Sequence, residues 1–187
     1  MIGAVGAKTT GIVLDVANQR GGAMPSVVTL HDWSRFGNDG AMANITWGQE
    51  PSRLWVMGFN GATSLSNHGD CVLARTVEFW MNPDSLTESI LEETAAVGIS
   101  INAGAMVYGS WDNCYVDGID TDAIISAVWK HIVITSTTDV VVSAFRLGLI
   151  AAAYFDGEMA MVRLYRYALT PAAIRARYTA TKRLFGK

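Results

Sequence analysis

Short apolar runs separated by small polar clusters dominate the chain. Val77, Phe79 and Met81 alternate with Thr76, Glu78 and Trp80, and Ile132 and Ile134 alternate with His131 and Thr135. A period of two sets one face of a strand against a core. Runs at 12–16, 43–46, 54–59, 76–82, 90–92, 98–102, 105–110, 128–135, 140–145, 146–149 and 158–165 are read as strands. Turn residues punctuate them, as in Phe36-Gly37-Asn38-Asp39-Gly40. Many short strands with such turns predict an all-β sandwich or barrel. One helix is predicted, over 171–185. Thr170 suits its cap and Pro171 its first position. Ile174 and Tyr178 share a face, and Gly186 ends it. Residues 1–11 read as an arm ahead of the first strand, and 1–187 as one domain.

Composition then asks where so much apolar surface goes. Half of the 187 residues are hydrophobic and only 17% are charged, with a mean hydropathy of +0.24. The longest apolar stretch, 147–155, is too short to span a membrane. The excess belongs either to a core rich in Ala, Val and Met or to a surface covered by neighbours. Lysine, which is depleted at interfaces, occurs only at Lys8, Lys130, Lys182 and Lys187. This leans towards assembly. A net charge of −3 does not suggest a nucleic-acid binder. Residues 171–187 nevertheless carry no acid, and Arg175, Arg177, Lys182 and Arg183 are candidates for docking onto an acidic partner. The commoner role of such residues is a solvated helix face. Cys71 and Cys114 are read as free thiols buried as small hydrophobes. The start, MIGAVGAKTTGIVL, lacks a basic region followed by a long apolar stretch and is not read as a secretory signal.

Five segments carry a family resemblance: DWSRFGNDG (32–40), WVMGFNGATSL (55–65), TVEFWMNP (76–83), WKHIVIT (129–135) and FDGEMAMVRLYRYALTPAAI (155–174). In this order and spacing they resemble the concanavalin A-like lectin/glucanase superfamily, especially its laminin-G-like branch. The resemblance implies a two-sheet antiparallel jelly-roll sandwich with one short C-terminal helix, the 155–165 strand running through the middle of one sheet. Trp80 and Trp129 are expected in packed positions. Trp33, Trp47, Trp55 and Trp111 look exposed and are candidates for sugar stacking or interface anchoring. Family members often carry an acidic pair where this chain has Ala160 and Met161, and glutamates after the helix cap where it has Ala172 and Ala173. The replacement of acids by Ala160 and Met161 favours packing over a polar ligand site there.

Catalytic chemistry finds little footing. Glycoside hydrolysis needs two carboxylates flanking one bond. The Glu-x-Asp-x-x-Glu strand of the glucanase branch is absent, and Glu78 and Glu158 stand alone. Glu92 and Glu93 are adjacent, which sends them to opposite faces of a strand. No G-x-S-x-G elbow accompanies His31, His68 and His131. His131 is read as packed, the other two as solvated. Gly6-Ala7-Lys8-Thr9 lacks the glycine and the preceding strand of a phosphate loop. The chain is therefore expected not to be an enzyme. Calcium is the one candidate cation. By resemblance it would take Asp32, Asn38 and Asp39, with Asp156 in a second turn. The ordinary role of these residues is turn chemistry.

These observations lead to an expectation of a structural or decoration protein of a virus (phage) particle or similar large assembly. It would be assembled in the host cytoplasm and contact itself or a capsid protein. The resemblance permits this, because tailed phages use laminin-G-like domains in decoration and tail proteins. The alternative is a carbohydrate-binding, lectin-like module. No nucleic-acid or membrane partner is expected.

Overall fold

The computed structural model describes residues 11–16, 21–125 and 127–187. The arm read over 1–11 lies outside them except for Gly11, as does the discarded 6–9 segment. In chain order the strands begin with β1 (Ile12–Val16), β2 (Thr29–Leu30), β3 (Gly40–Ala43), β4 (Thr46–Gln49), β5 (Trp55–Asn60) and β6 (Leu65–Gly69). Then come β7 (Val72–Pro83), β8 (Glu88–Thr94), β9 (Val97–Asn102), β10 (Ala105–Val107), β11 (Asn113–Val116) and β12 (Ile119–Asp120). The last are β13 (Lys130–Val142), β14 (Phe145–Leu147), β15 (Leu149–Ile150), β16 (Ala153–Tyr154) and β17 (Asp156–Tyr165), followed by α1 (Pro171–Thr181) and a 3-10 helix, Lys182–Phe185.

Two antiparallel sheets form, as the strand pattern predicts. One has the order β12-β11-β13-β7-β17-β5-β4, with β1 added against β17. The other has the order β10-β9-β8-β14-β6-β3-β2, and β15 and β16 make a separate small hairpin. Val77, Phe79, Met81, Ile132 and Ile134 of the first sheet share one core with Ile90, Leu91, Ile99, Ile101, Phe145 and Leu147 of the second. Each such side chain contributes roughly 1.5–3 kcal/mol on burial. The chain is thus a β-sandwich with one short C-terminal helix. Cys71 and Cys114 are free and buried within it, and burial pushes both thiols up to about 12.

Several strands depart from the sequence reading; the 43–46 run, for one, straddles the turn between β3 and β4. The runs 128–135 and 140–145 belong largely to one strand, β13, with a register shift between Thr135 and Val140. Ser136-Thr137-Thr138-Asp139 hides this continuity because its polar groups are met by Asp112, 25 residues away in the chain. Asp112 Oδ2 accepts from the Thr137 N–H at 2.7 Å and from its hydroxyl at 2.7 Å. In β17, Ala160 stands opposite Trp80 and Arg163 opposite Glu78, so Met161 and Val162 together face Phe79. Met161 takes φ 55°, and the extra residue makes a bulge. Beyond it the alternation reverses: Val162 and Leu164 join the core, and Arg163 and Tyr165 turn to the opposite face with Glu78.

The C-terminal segment covers that opposite face. Thr170 Oγ1 accepts from the Ala173 N–H at 3.3 Å and Pro171 occupies the first turn, which starts the helix where the sequence predicts. The predicted single helix is α-helical to Thr181 and 3-10 beyond it, ending at Gly186 with φ 71°. Phe185 stacks on Trp80 at 4.2 Å between ring centres and tilts against Trp129 at 4.6 Å. Leu54, Val56 and Ala160 complete this second core. Trp80 and Trp129 are therefore packed, as expected.

Candidate functional site

The register of β8, β9 and β10 lays three side chains in a row. Ser89 stands opposite Ser100, and Ser100 opposite Val107. Cross-strand partners share a face. Ile99, Ile101 and Met106, on the other face, are buried in the core. Ser89 and Ser100 are half-buried and Val107 is exposed, so the row faces outward. Thr87 and Asn102 extend it at the end of the β8–β9 pair.

The β15–β16 hairpin makes the wall beside this floor. Gly148, at φ 81°, turns the chain out of β14, and a Cβ there would clash with the Phe59 ring. The Gly148 N–H donates to Ile90 O at 2.8 Å, and the Phe155 N–H donates to Gly148 O at 3.0 Å. Two glutamates of β8 hold the rest. Glu92 accepts from the Ala151 N–H at 2.8 Å and from Arg146 Nη1 at 3.1 Å. Glu88 Oε2 accepts from the Asp156 N–H at 3.0 Å. The hairpin is thereby fixed, and it carries Tyr154 to the edge of a groove of about 430 Å³. Thr87, Glu88, Ser89, Ser100, Ile101, Asn102, Val107, Ala153 and Tyr154 line it. Hydroxyl and amide groups that both donate and accept stand beside an aromatic ring and a valine. That set suits a ligand with many hydroxyls and apolar C–H faces.

A second polar centre lies between the first sheet and α1. Glu78 is buried, and it accepts from Tyr165 Oη, from Arg177 Nη1 at 3.2 Å and from His131 Nε2 at 3.0 Å. Arg163 Nη1 lies 3.9 Å away and donates through Nε to Asp15 at 2.9 Å. Burial raises the Glu78 pKa, but the His131 hydrogen bond and the charges of His131, Arg163 and Arg177 outweigh it and hold the carboxyl near about 2. With α1 across it, this network anchors the helix. A third feature is a cleft of about 290 Å³ lined by Glu93, Ser110, Thr138 and Asp139 among others. Glu93 accepts from Trp111 Nε1 at 2.5 Å, and burial pushes its carboxyl up to about 7 against that hydrogen bond.

The residues singled out from sequence are scattered. Trp111 was expected to be exposed; it is buried in the core, because Glu93 supplies its N–H with an acceptor there. Trp33 is exposed, while Trp47 and Trp55 are half-buried, Trp47 donating to Ser26 O at 2.9 Å. None of the four lines the groove. Of the calcium set, Asp32, Asn38 and Asp39 share one loop, and Asp156 does not join them. Asp32 is an organiser of its own loop, accepting from the N–H groups of Asp15, Ser34 and Asn38 at 2.8 Å each and from the Ser34 hydroxyl at 2.7 Å. Asp39 accepts from the Asp32 N–H, and Asn38 donates to Val13 O. Asp156 lies elsewhere, its carboxylate against Gly61. Among the described residues, no group of three or more His, Cys, Asp or Glu side chains is placed to hold a metal ion.

The docking set is also divided. Arg177 turns inward to Glu78 and lies 4.9 Å over the Tyr165 ring, and Lys182 lies 5.6 Å over Tyr178. Arg175 and Arg183 are exposed. His131 is buried as expected, but His68, expected in solvent, is buried too; it donates from Nδ1 to Asn38 O at 2.8 Å.

No family model matches the chain, and no curated protein matches it. Solved structures do. A Trypanosoma rangeli sialidase mutant displaying trans-sialidase activity matches over 97% of this chain and 35% of its own, at 16% identity and a TM-score of 0.63. The Trypanosoma rangeli sialidase in complex with sialic acid matches over 96% and 34%, at 16% identity and 0.61. Domain 4 of AbnA, a GH43 extracellular arabinanase from Geobacillus stearothermophilus, in complex with arabinotriose, matches over 89% and 97%, at 15% identity and 0.56. The chain thus spans about a third of the sialidases and nearly the whole of the arabinanase domain. At such identities the likeness shows the fold. It also corrects the expectation that the chain is not an enzyme: this fold occurs within a sialidase and an arabinanase. The absence of one branch's Glu-x-Asp-x-x-Glu strand therefore does not set catalysis aside.

Proposed function

We propose that this chain is a carbohydrate-recognition domain of the laminin-G-like kind, holding a glycan in the groove between the Ser89–Ser100–Val107 row and Tyr154. The observation that carries the reading is the groove itself. Hydroxyl, amide and aromatic side chains converge on one outward face, against a hairpin fixed at both ends. Pockets of about 300–1,000 Å³ with a few convergent polar groups are typical small-ligand sites. The likeness to a single arabinanase domain solved with arabinotriose supports it. Isothermal titration calorimetry with an oligosaccharide panel tests it, with Tyr154→Ala as the control and the same mixtures monitored for cleavage products. Binding that Tyr154→Ala leaves unchanged would remove the groove from the proposal.

A second reading, contact with itself or a capsid protein in a virus particle or similar assembly, draws on the exposed side chains of Val28, Trp33, Ile119 and Ile125. Light scattering with negative-stain imaging distinguishes it. Stable oligomers or particles support it, and a monomer indifferent to capsid protein counts against it.

A further inference from the structure

We infer that the groove selects neutral oligosaccharides and discriminates against glycans bearing a carboxylate. The inference rests on the glycan-recognition reading and sharpens it. Recognition of a sugar carboxylate takes a guanidinium, an ammonium or a cluster of free N–H donors. Among the described residues lining this groove there is no lysine, arginine or histidine, and the one charged residue, Glu88, is buried with its Oε2 on the Asp156 N–H. The nearby Arg146 is committed to Glu92, whose second oxygen holds the Ala151 N–H. A sialic acid placed here would bring its carboxylate into a groove whose described lining offers no cation to compensate its desolvation, and a charge left unpaired in this way is a strong selective element.

The polar groups that are present fit hydroxyls. Ser89, Ser100 and Thr87 each donate once and accept twice, and the Asn102 amide does both. Val107 and Tyr154 offer apolar and aromatic surface to the C–H face of a ring. Selection against charge thus follows from the same side chains that favour binding.

The test is calorimetry of the full chain with arabinotriose, cellotriose, lactose and sialyllactose. At least one neutral probe is expected to bind about tenfold or more tightly than sialyllactose, and to lose most of that affinity in Tyr154→Ala. A gain-of-function variant, Asn102→Arg, adds a cation at an exposed lining position and is expected to narrow the gap for sialyllactose. Sialyllactose binding as tightly as the neutral probes, and dependent on Tyr154, would overturn the neutral selectivity while leaving the groove as the site. No binding by any probe would overturn the recognition reading as well.

Discussion

The Ala151 N–H donates to Glu92 Oε2 at 2.8 Å, across 59 residues of sequence, and so ties the tip of the β15–β16 hairpin to the middle of β8. Glu92 is fully buried, and its other oxygen takes Arg146. Removing the carboxylate in Glu92→Ala leaves a backbone donor without its acceptor and releases a guanidinium that is already partly in solvent. The expected loss is about 2 kcal/mol in urea unfolding. Hydrogen exchange should accelerate selectively over 149–154, and glycan affinity should fall because Tyr154 rides on that hairpin. Equal exchange rates in the two proteins would show that the hairpin is held by other contacts.

Much of the sandwich was legible because its signal is local. Val77, Phe79 and Met81 alternate within β7, and Thr170-Pro171 announces α1. The groove was not, because its floor is made by register. Ser89, Ser100 and Tyr154 are single polar or aromatic residues in separate segments, and only the β8–β9–β10 pairing and the folded-back hairpin bring them together. Trp111 misled for a related reason. Asp112 and Asn113 beside it are ordinary turn residues, while the buried acceptor that admits its ring to the core comes from Glu93, 18 residues away.

Val72 opens β7 at φ 67°, a left-handed conformation that β-branched residues adopt only under strain. Its side chain is 48% exposed, so little burial is at stake. Val72→Asn keeps the N–H that donates to Asp70 Oδ1 at 2.7 Å and replaces valine by a residue that tolerates this region. The expected gain is about 1 kcal/mol, which for a chain of this size raises Tm by roughly 2–4 °C. A lower Tm would mean that the contacts of the valine outweigh its backbone strain.

Phe185 closes the outer core by stacking on Trp80 and Trp129. Phe185→Ala removes the ring from a site that is only 5% exposed. A buried Phe→Ala change costs about 3–5 kcal/mol, and the position near the end of the helical segment favours the lower figure. Trp80 and Trp129 should then meet water, shifting the fluorescence emission to longer wavelength. Phe185→Leu, which keeps most of the volume, should recover the larger part of the loss. Unchanged emission in the alanine variant would place the two tryptophans under another cover.

Glu93 and Glu78 set opposite limbs of the stability profile. The carboxyl of Glu93 is pushed up to about 7 by burial, above its ordinary 4.5. Between those values the folded chain holds a proton that the unfolded chain has released, so stability falls as pH rises, by up to about 3 kcal/mol. Glu78 is held at about 2, below its ordinary 4.5. Its contribution is complete above the unfolded value and disappears as pH falls towards the folded one. Together they place the maximum near about pH 5. Glu93→Gln mimics the protonated acid and still offers Trp111 Nε1 an acceptor. Chemical unfolding followed from pH 5 to 8 should therefore show a flatter decline for the variant, which should be the more stable protein at pH 8. Parallel curves across that range would mean that Glu93 ionises in the folded protein as freely as in the unfolded one, through water entering the adjoining cleft.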